Sequence, residues 1–273
     1  MPEAVFNFPR GFQWGSATSS HQVEGNNTNN TWTAWEQQPG RVLNGGVAGL
    51  ASDWWGGRWK EDFDRAAESG QNSLQLSIEW SRVQPTPDRW DENALDHYRG
   101  MIRGLDERGI KPLVTLHHFT DPLWLALKGG WENDEIIQLF TTYTEKVVDI
   151  LGGFVDKWVT LNEPNQYTAQ GYIHGIFPPG HRNMKLAFKV MENQIKAHAA
   201  AYQAIHKIQP HAQVGLAINY RGFQPANQFS PFDRYSVKRI TKMHNEFFPQ
   251  IINYGKARLL NKMVKISQVK GTQ

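Results

Sequence analysis

A chain of 273 residues that is 40% hydrophobic and 20% charged has room for one large buried core or two small ones, and its balance excludes a disordered or fibrous protein. It contains no cysteine, which excludes disulfides, thiolate nucleophiles and Cys-ligated zinc and fits a reducing compartment. The net charge is +3, yet residues 234–273 hold nine Lys/Arg against the single acid Glu246. With no nucleic-acid motif present, Lys238, Arg239, Lys242, Lys256, Arg258 and Lys262 are expected to be solvated helix faces, and no nucleic-acid partner is expected.

The first residues, Met1 to Phe6, show no basic stretch followed by an apolar one, and no window approaches about 18 apolar residues. The expectation is a cytoplasmic chain with no membrane partner. In chain order, apolar or β-branched runs at 11–17, 72–78, 111–116, 157–161 and 213–218 predict strands. Stretches at 59–68, 92–108, 134–151 and 186–208 predict helices; in the last, Ile195, His198, Tyr202 and Ile205 recur at steps of three and four. Strands alternating with helices argue for βα units and a parallel sheet. No repeat of roughly 20–50 residues and no low-complexity linker divides the chain, so residues 1–273 read as one domain.

Polar residues that a helix start does not require follow several of these strands. After the first comes Ser19-Ser20-His21-Gln22-Val23-Glu24-Gly25, after the third His117-His118-Phe119-Thr120, and after the fourth Asn162-Glu163-Pro164. In a barrel of parallel strands these tips converge on one face, where such enzymes build their sites. Glu163 precedes a proline, which pushes its backbone toward the extended region. Held in a partly apolar cleft, its carboxyl would have a raised pKa and serve as a general acid; the alternative is an acid that caps the next helix.

His117 and His118, neighbours on a strand, point to opposite sides and cannot share a metal ion, so one inward histidine is expected as a hydrogen-bonding group. All eleven Trp lie at or before position 158. Trp14, Trp35 and Trp124 fall near the expected tips, where an indole either faces a sugar ring or fills the core. Glu24, Glu79 and Asp121, also near strand ends, read as salt bridges or caps.

The stretches GFQWGSATSSHQVEG (11–25), NSLQLSIEWSRVQP (72–85), VTLHHFTDPLW (114–124) and TLNEPN (160–165) resemble the first four strand-end motifs of glycoside hydrolase family 1, the β-glucosidase/β-galactosidase family. They occur in the right order, and the resemblance covers essentially the whole chain. It implies an α/β fold, a TIM-type (β/α)8 barrel represented by about five βα units. It also implies a retaining β-glycosidase that acts on a β-glycoside and needs neither metal nor cofactor. Position by position, it implies that Glu163 is the acid/base, that Asn162 holds the sugar 2-hydroxyl, and that Gln22 and His118 hydrogen-bond further hydroxyls. Phe119 stands where many members carry Trp and keeps an apolar platform.

Two departures accompany the resemblance. Gln75 occupies a position where members typically carry an Arg beside the nucleophilic carboxylate, and losing that charge raises the carboxylate's pKa. The sequence ends about where the family enters its sixth strand and contains no Glu-Asn-Gly, the stretch that carries the nucleophile. A truncated or degenerate, sugar-binding member is therefore the alternative expectation. Five parallel strands leave open edges, so the expected partners are further copies of the chain or a complementing C-terminal chain.

Overall fold

The computed structural model describes residues 7–259 and 262–266. Strand β1 (Gly15–Ala17) leads into the short helices α1 (Ser20–Val23) and α2 (Thr31–Glu36), then α3 (Trp59–Glu68). Next come β2 (Ser73–Ser77), α4 (Trp80–Val83), α5 (Glu92–Asp106), β3 (Lys111–His117), α6 (Leu123–Leu127) and α7 (Ile136–Leu151). Strand β4 (Lys157–Asn162) is followed by α8 (Pro164–Thr168), a π-helical turn at Ala169–His174 and the long α9 (Met184–Ile208). After β5 (Gln213–Ala217) come α10 (Pro231–Thr241), a second π-helical segment Lys242–Glu246, α11 (Phe247–Tyr254) and the strands β6 (Lys256–Leu259) and β7 (Lys262–Lys265).

The first five strands form one parallel sheet in the order β1-β2-β3-β4-β5, and β6 and β7 form an antiparallel pair. Leu74, Leu76, Val114, Leu116 and Trp158, on the outward faces of β2 to β4, are almost fully buried beneath α5, α7 and α9. Helix α5 meets them with Leu95, Tyr98, Met101, Ile102 and Leu105, an i, i+3, i+4 stripe, and Asp91 caps its first turn by accepting from the Ala94 amide at 3.1 Å. The Tyr143 hydroxyl of α7 lies between the Ile78 and Leu116 carbonyls, at 3.0 and 3.1 Å, and so ties the ends of β2 and β3 together. The opposite face of the sheet is more open: Gln75 is half-buried and β1 is exposed throughout.

Two expectations are corrected. Strand β1 is three residues long, not seven, because Phe8, Phe12 and Trp14 pack their rings on one another, with centroids 4.7 to 4.9 Å apart. The Asn72 side chain, not a neighbouring strand, bonds the Trp14 amide and the Phe12 carbonyl. The basic tail is only partly helical: Lys256, Arg258 and Lys262 lie on β6 and β7, where exposed Lys256 and Arg258 alternate with buried Ala257. Among the described residues no helix is long and apolar enough to cross a membrane.

Candidate active site

The C-terminal tips of the strands gather the residues singled out from sequence. Strand β4 shifts register against β5 between Val159 and Asn162. That irregularity lets Thr160 reach His198 on α9 (2.7 Å) while Asn162, two residues on, turns to Gln75 on β2. Glu163 follows at φ 44°, ψ 53°, the left-handed region, which corrects the extended backbone expected before a proline. Helix α8 begins at once with Pro164 in its first turn, so the chain reverses within a single residue; the proline disfavours the right-handed helical region there, and an extended residue would not turn.

The Glu163 carboxyl makes no capping bond to α8, so the capping alternative does not hold. Instead Oε1 accepts from Nδ2 of Asn219 at 3.0 Å. Asn219 lies just past β5, and its Oδ1 accepts from Arg221 Nε (2.8 Å) and meets His244 Nε2 (3.3 Å). Burial and the Arg221 charge push the His244 pKa down, partly offset by its contact with Asn219 and by the Glu163 charge. Sequence reasoning missed Asn219, Arg221 and His244. The rule that flagged the other tips, polar residues directly after a strand, applies equally to Asn219-Tyr220-Arg221.

On the other side of Asn162, its Nδ2 donates to His118 Nε2 at 3.0 Å, and its Oδ1 faces Gln75 Nε2 at 3.4 Å; Gln75 also donates to Thr115 Oγ1 at 2.9 Å. Burial, reinforced by neighbouring His117, pushes the His118 pKa down to about 4, so the ring is neutral near pH 7. With Nε2 accepting, the proton sits on Nδ1, which is buried and has no partner among the described residues. His117 points the other way, into a cluster with Asp121 and Trp131. Phe119, at φ 72°, lays its ring near Tyr167 and Phe177, and Phe177 continues to Trp32, forming an aromatic wall.

Asn162, His118 and Gln75 are thus in direct contact, with Glu163 and Phe119 adjacent to them in the chain. Gln22 stands apart, exposed on α1 at the tip of β1, and its side chain meets no hydrogen-bond partner among the described residues. The remaining acids are tied up in the interior. Glu79 accepts from the hydroxyls of Ser20, Ser81 and Thr120. Glu24 pairs with Arg82 at 2.7 Å and accepts from Tyr98, and burial raises its pKa to about 7. Asp121 takes the Trp131 indole and the Tyr167 hydroxyl besides His117. None of the three tryptophans placed near the tips faces this cluster. Trp14 precedes β1 at the opposite end of the sheet, Trp35 is buried beneath Arg41, and Trp124 is buried with its indole on the Gln84 carbonyl.

Comparison with known proteins agrees with this fold. The Glycosyl hydrolase family 1 profile matches residues 5–270. Beta-glucosidase A of Thermotoga maritima is 36% identical over 230 residues, 82% of this chain and 51% of that protein. A solved beta-glycosidase from Pyrococcus horikoshii superimposes with a TM-score of 0.88 at 38% identity, covering 96% of this chain and 60% of its own. The family 1 β-glucosidase of T. maritima in complex with isofagomine lactam gives 0.89 at 34% identity, covering 93% and 59%. The chain spans about half the length of the curated relatives it matches, and its five parallel strands are part of a (β/α)8 barrel. With the profile, the superposition and the four strand-end motifs in agreement along nearly the whole sequence, the chain belongs to glycosyl hydrolase family 1.

Proposed function

We propose that this chain carries the acid/base half of a retaining β-glycosidase site that acts on β-glucosides or β-galactosides. The observation that carries the reading is the Glu163 carboxyl, which stands at the tip of β4 on left-handed backbone, leaves the following helix uncapped and lies beside the Asn162–His118–Gln75 cluster. Glu163 gives its proton to the glycosidic oxygen as the bond from that oxygen to C1 breaks and a second carboxylate bonds C1. It then takes a proton from water, whose oxygen displaces that carboxylate. Asn162 holds the sugar 2-hydroxyl, His118 and Gln22 take further hydroxyls, and Phe119 supplies an apolar platform. A neutral His118 suits this task, since its lone pair is held by Asn162 and its unpartnered Nδ1–H donates to a hydroxyl without fixing a charge.

Retaining enzymes place the second carboxyl roughly 5 Å from the first. Glu24 and Glu79 are committed to buried donors, so we assign the second carboxyl to the half of the family's length that this chain does not span. A complementing chain, or a second copy, is part of the reading; among the described residues β1 and β5 are the unpaired edges of the sheet, and Tyr220, Phe229 and Phe232 beyond β5 are 76%, 82% and 83% exposed. The relative from T. maritima that binds isofagomine lactam supports a sugar-shaped site.

The test is release of nitrophenol from nitrophenyl β-glucoside and β-galactoside by the chain alone and with a family 1 C-terminal polypeptide added. Hydrolysis should arise with the added polypeptide and fall about 100-fold or more in Glu163→Gln; turnover indifferent to that substitution overturns the reading. Gln75 favours a second reading, a sugar-binding member without turnover. That reading predicts a calorimetric heat with isofagomine lactam and no hydrolysis under either condition, and absence of heat disposes of it.

A further inference from the structure

We propose that Asn219 is the positioning residue for the Glu163 carboxyl: it holds Oε1, so that the transferable proton is carried on Oε2, and Arg221 and His244 lock the amide that does so. The proposal rests on the reading of Glu163 as proton donor and adds how that donor is aimed.

An amide side chain offers two donors at one end and an acceptor at the other. Asn219 turns its donor end to Glu163 at 3.0 Å. The acceptor end faces the Arg221 Nε–H at 2.8 Å and the His244 Nε2 at 3.3 Å. A flipped amide would set its NH2 group against the guanidinium, donor against donor, and leave Glu163 Oε1 facing an oxygen. The amide therefore has one stable orientation. Its backbone is fixed as well: the Asn219 carbonyl accepts from Asn165 Nδ2 at 2.8 Å, and the Asn219 N–H donates to Asn165 Oδ1 at 3.3 Å. Asn165 lies two residues past Glu163, so the tips of β4 and β5 are pinned at the place where the carboxyl projects. On the far side, Asn245 accepts from the Arg221 N–H (3.1 Å) and donates to the Arg221 carbonyl (2.7 Å).

The chemistry favours a neutral intermediary. In a protonated carboxyl the carbonyl oxygen is the better acceptor of an N–H, and the other oxygen carries the proton. An N–H held on Oε1 therefore leaves Oε2 as the acid in the first step and as the base in the second. An arginine placed directly on Glu163 would favour the ionised form and oppose protonation. Arg221 instead reaches Glu163 through the amide, polarising it. The charged and titratable groups facing this arrangement are Arg221 after β5 and neutral His244 on the π-helical segment.

The test reads the Asn219 side-chain amide in the 15N-labelled 273-residue chain by NMR. One Nδ2 proton should lie downfield of the ordinary asparagine position and move as pH is lowered until the carboxyl protonates. Glu163→Ala should abolish both the displacement and its pH response. Arg221→Gln, at an exposed residue, should leave the fold intact, shrink the displacement and speed rotation of the NH2 group. An amide resonance indifferent to Glu163→Ala, or unchanged in Arg221→Gln, overturns the proposal. A preparation that hydrolyses nothing bears on the role of Glu163 alone, because the NMR signature needs no turnover. In a hydrolysing assembly, Asn219→Ala should slow an alkyl β-glucoside about tenfold more than a dinitrophenyl β-glucoside, whose departure needs no proton; equal losses overturn the positioning role.

Discussion

Glu163 keeps a long L side chain at φ 44°, where the backbone costs about 1–2 kcal/mol that a glycine would not incur. Allowing for the freedom a glycine gains when unfolded, Glu163→Gly should stabilise the chain by about 0.5–1 kcal/mol in urea titration. A loss of stability instead would mean that the Asn219 contact outweighs the strain. His118 gives a pH prediction. Its folded pKa of about 4 lies below the usual 6.5, so the unfolded chain takes up the proton first and stability is lost as pH falls from about 6.5 toward about 4. His97 and His244, also lowered by burial, act in the same sense, while Glu24, raised to about 7, acts against them. His118→Gln should therefore shrink the stability difference between pH 7 and pH 5 by roughly 2 kcal/mol. That Asn162, Glu163 and His118 stand together at strand ends was legible in sequence, because each belongs to a family motif there. The contacts of Asn219 were not, although the same strand-tip rule reaches its position, since they depend on Arg221 and on His244, 25 residues further on, and no local pattern encodes that meeting.

Helix α7 reaches across two strands with a single hydroxyl. Tyr143→Phe would leave the Ile78 and Leu116 carbonyls without that partner in a dry interior, and urea titration should show a loss of about 1–3 kcal/mol. At this scale the sequence was easiest to read where both faces of an element are decided locally. Strands β2 to β5 and helix α3 end within a residue or so of the expected positions, because β-branched runs and helical stripes are bounded by turn residues. The reading failed where packing overruled pattern. The apolar start of β1 became an aromatic cluster, the basic tail folded partly into the β6–β7 pair, and the pre-proline rule at Glu163 gave way to a strand that turns directly into a helix.

Among the described residues the main sheet has two open edges, β1 and β5, and its outer face is covered by helices. Such edges pair with whatever strand is available, so analytical ultracentrifugation of the chain alone should show concentration-dependent association, which addition of a family 1 C-terminal polypeptide reduces. A monodisperse monomer across the concentration range would mean that the edges are protected well enough without a partner. The strand order carries one more consequence. Each strand from β2 to β5 lies beside the one made just before it, and every crossover between them is closed by a helix from the same stretch of chain. During synthesis, each unit can therefore dock as it leaves the ribosome, one after another from the amino terminus, without waiting for a distant segment.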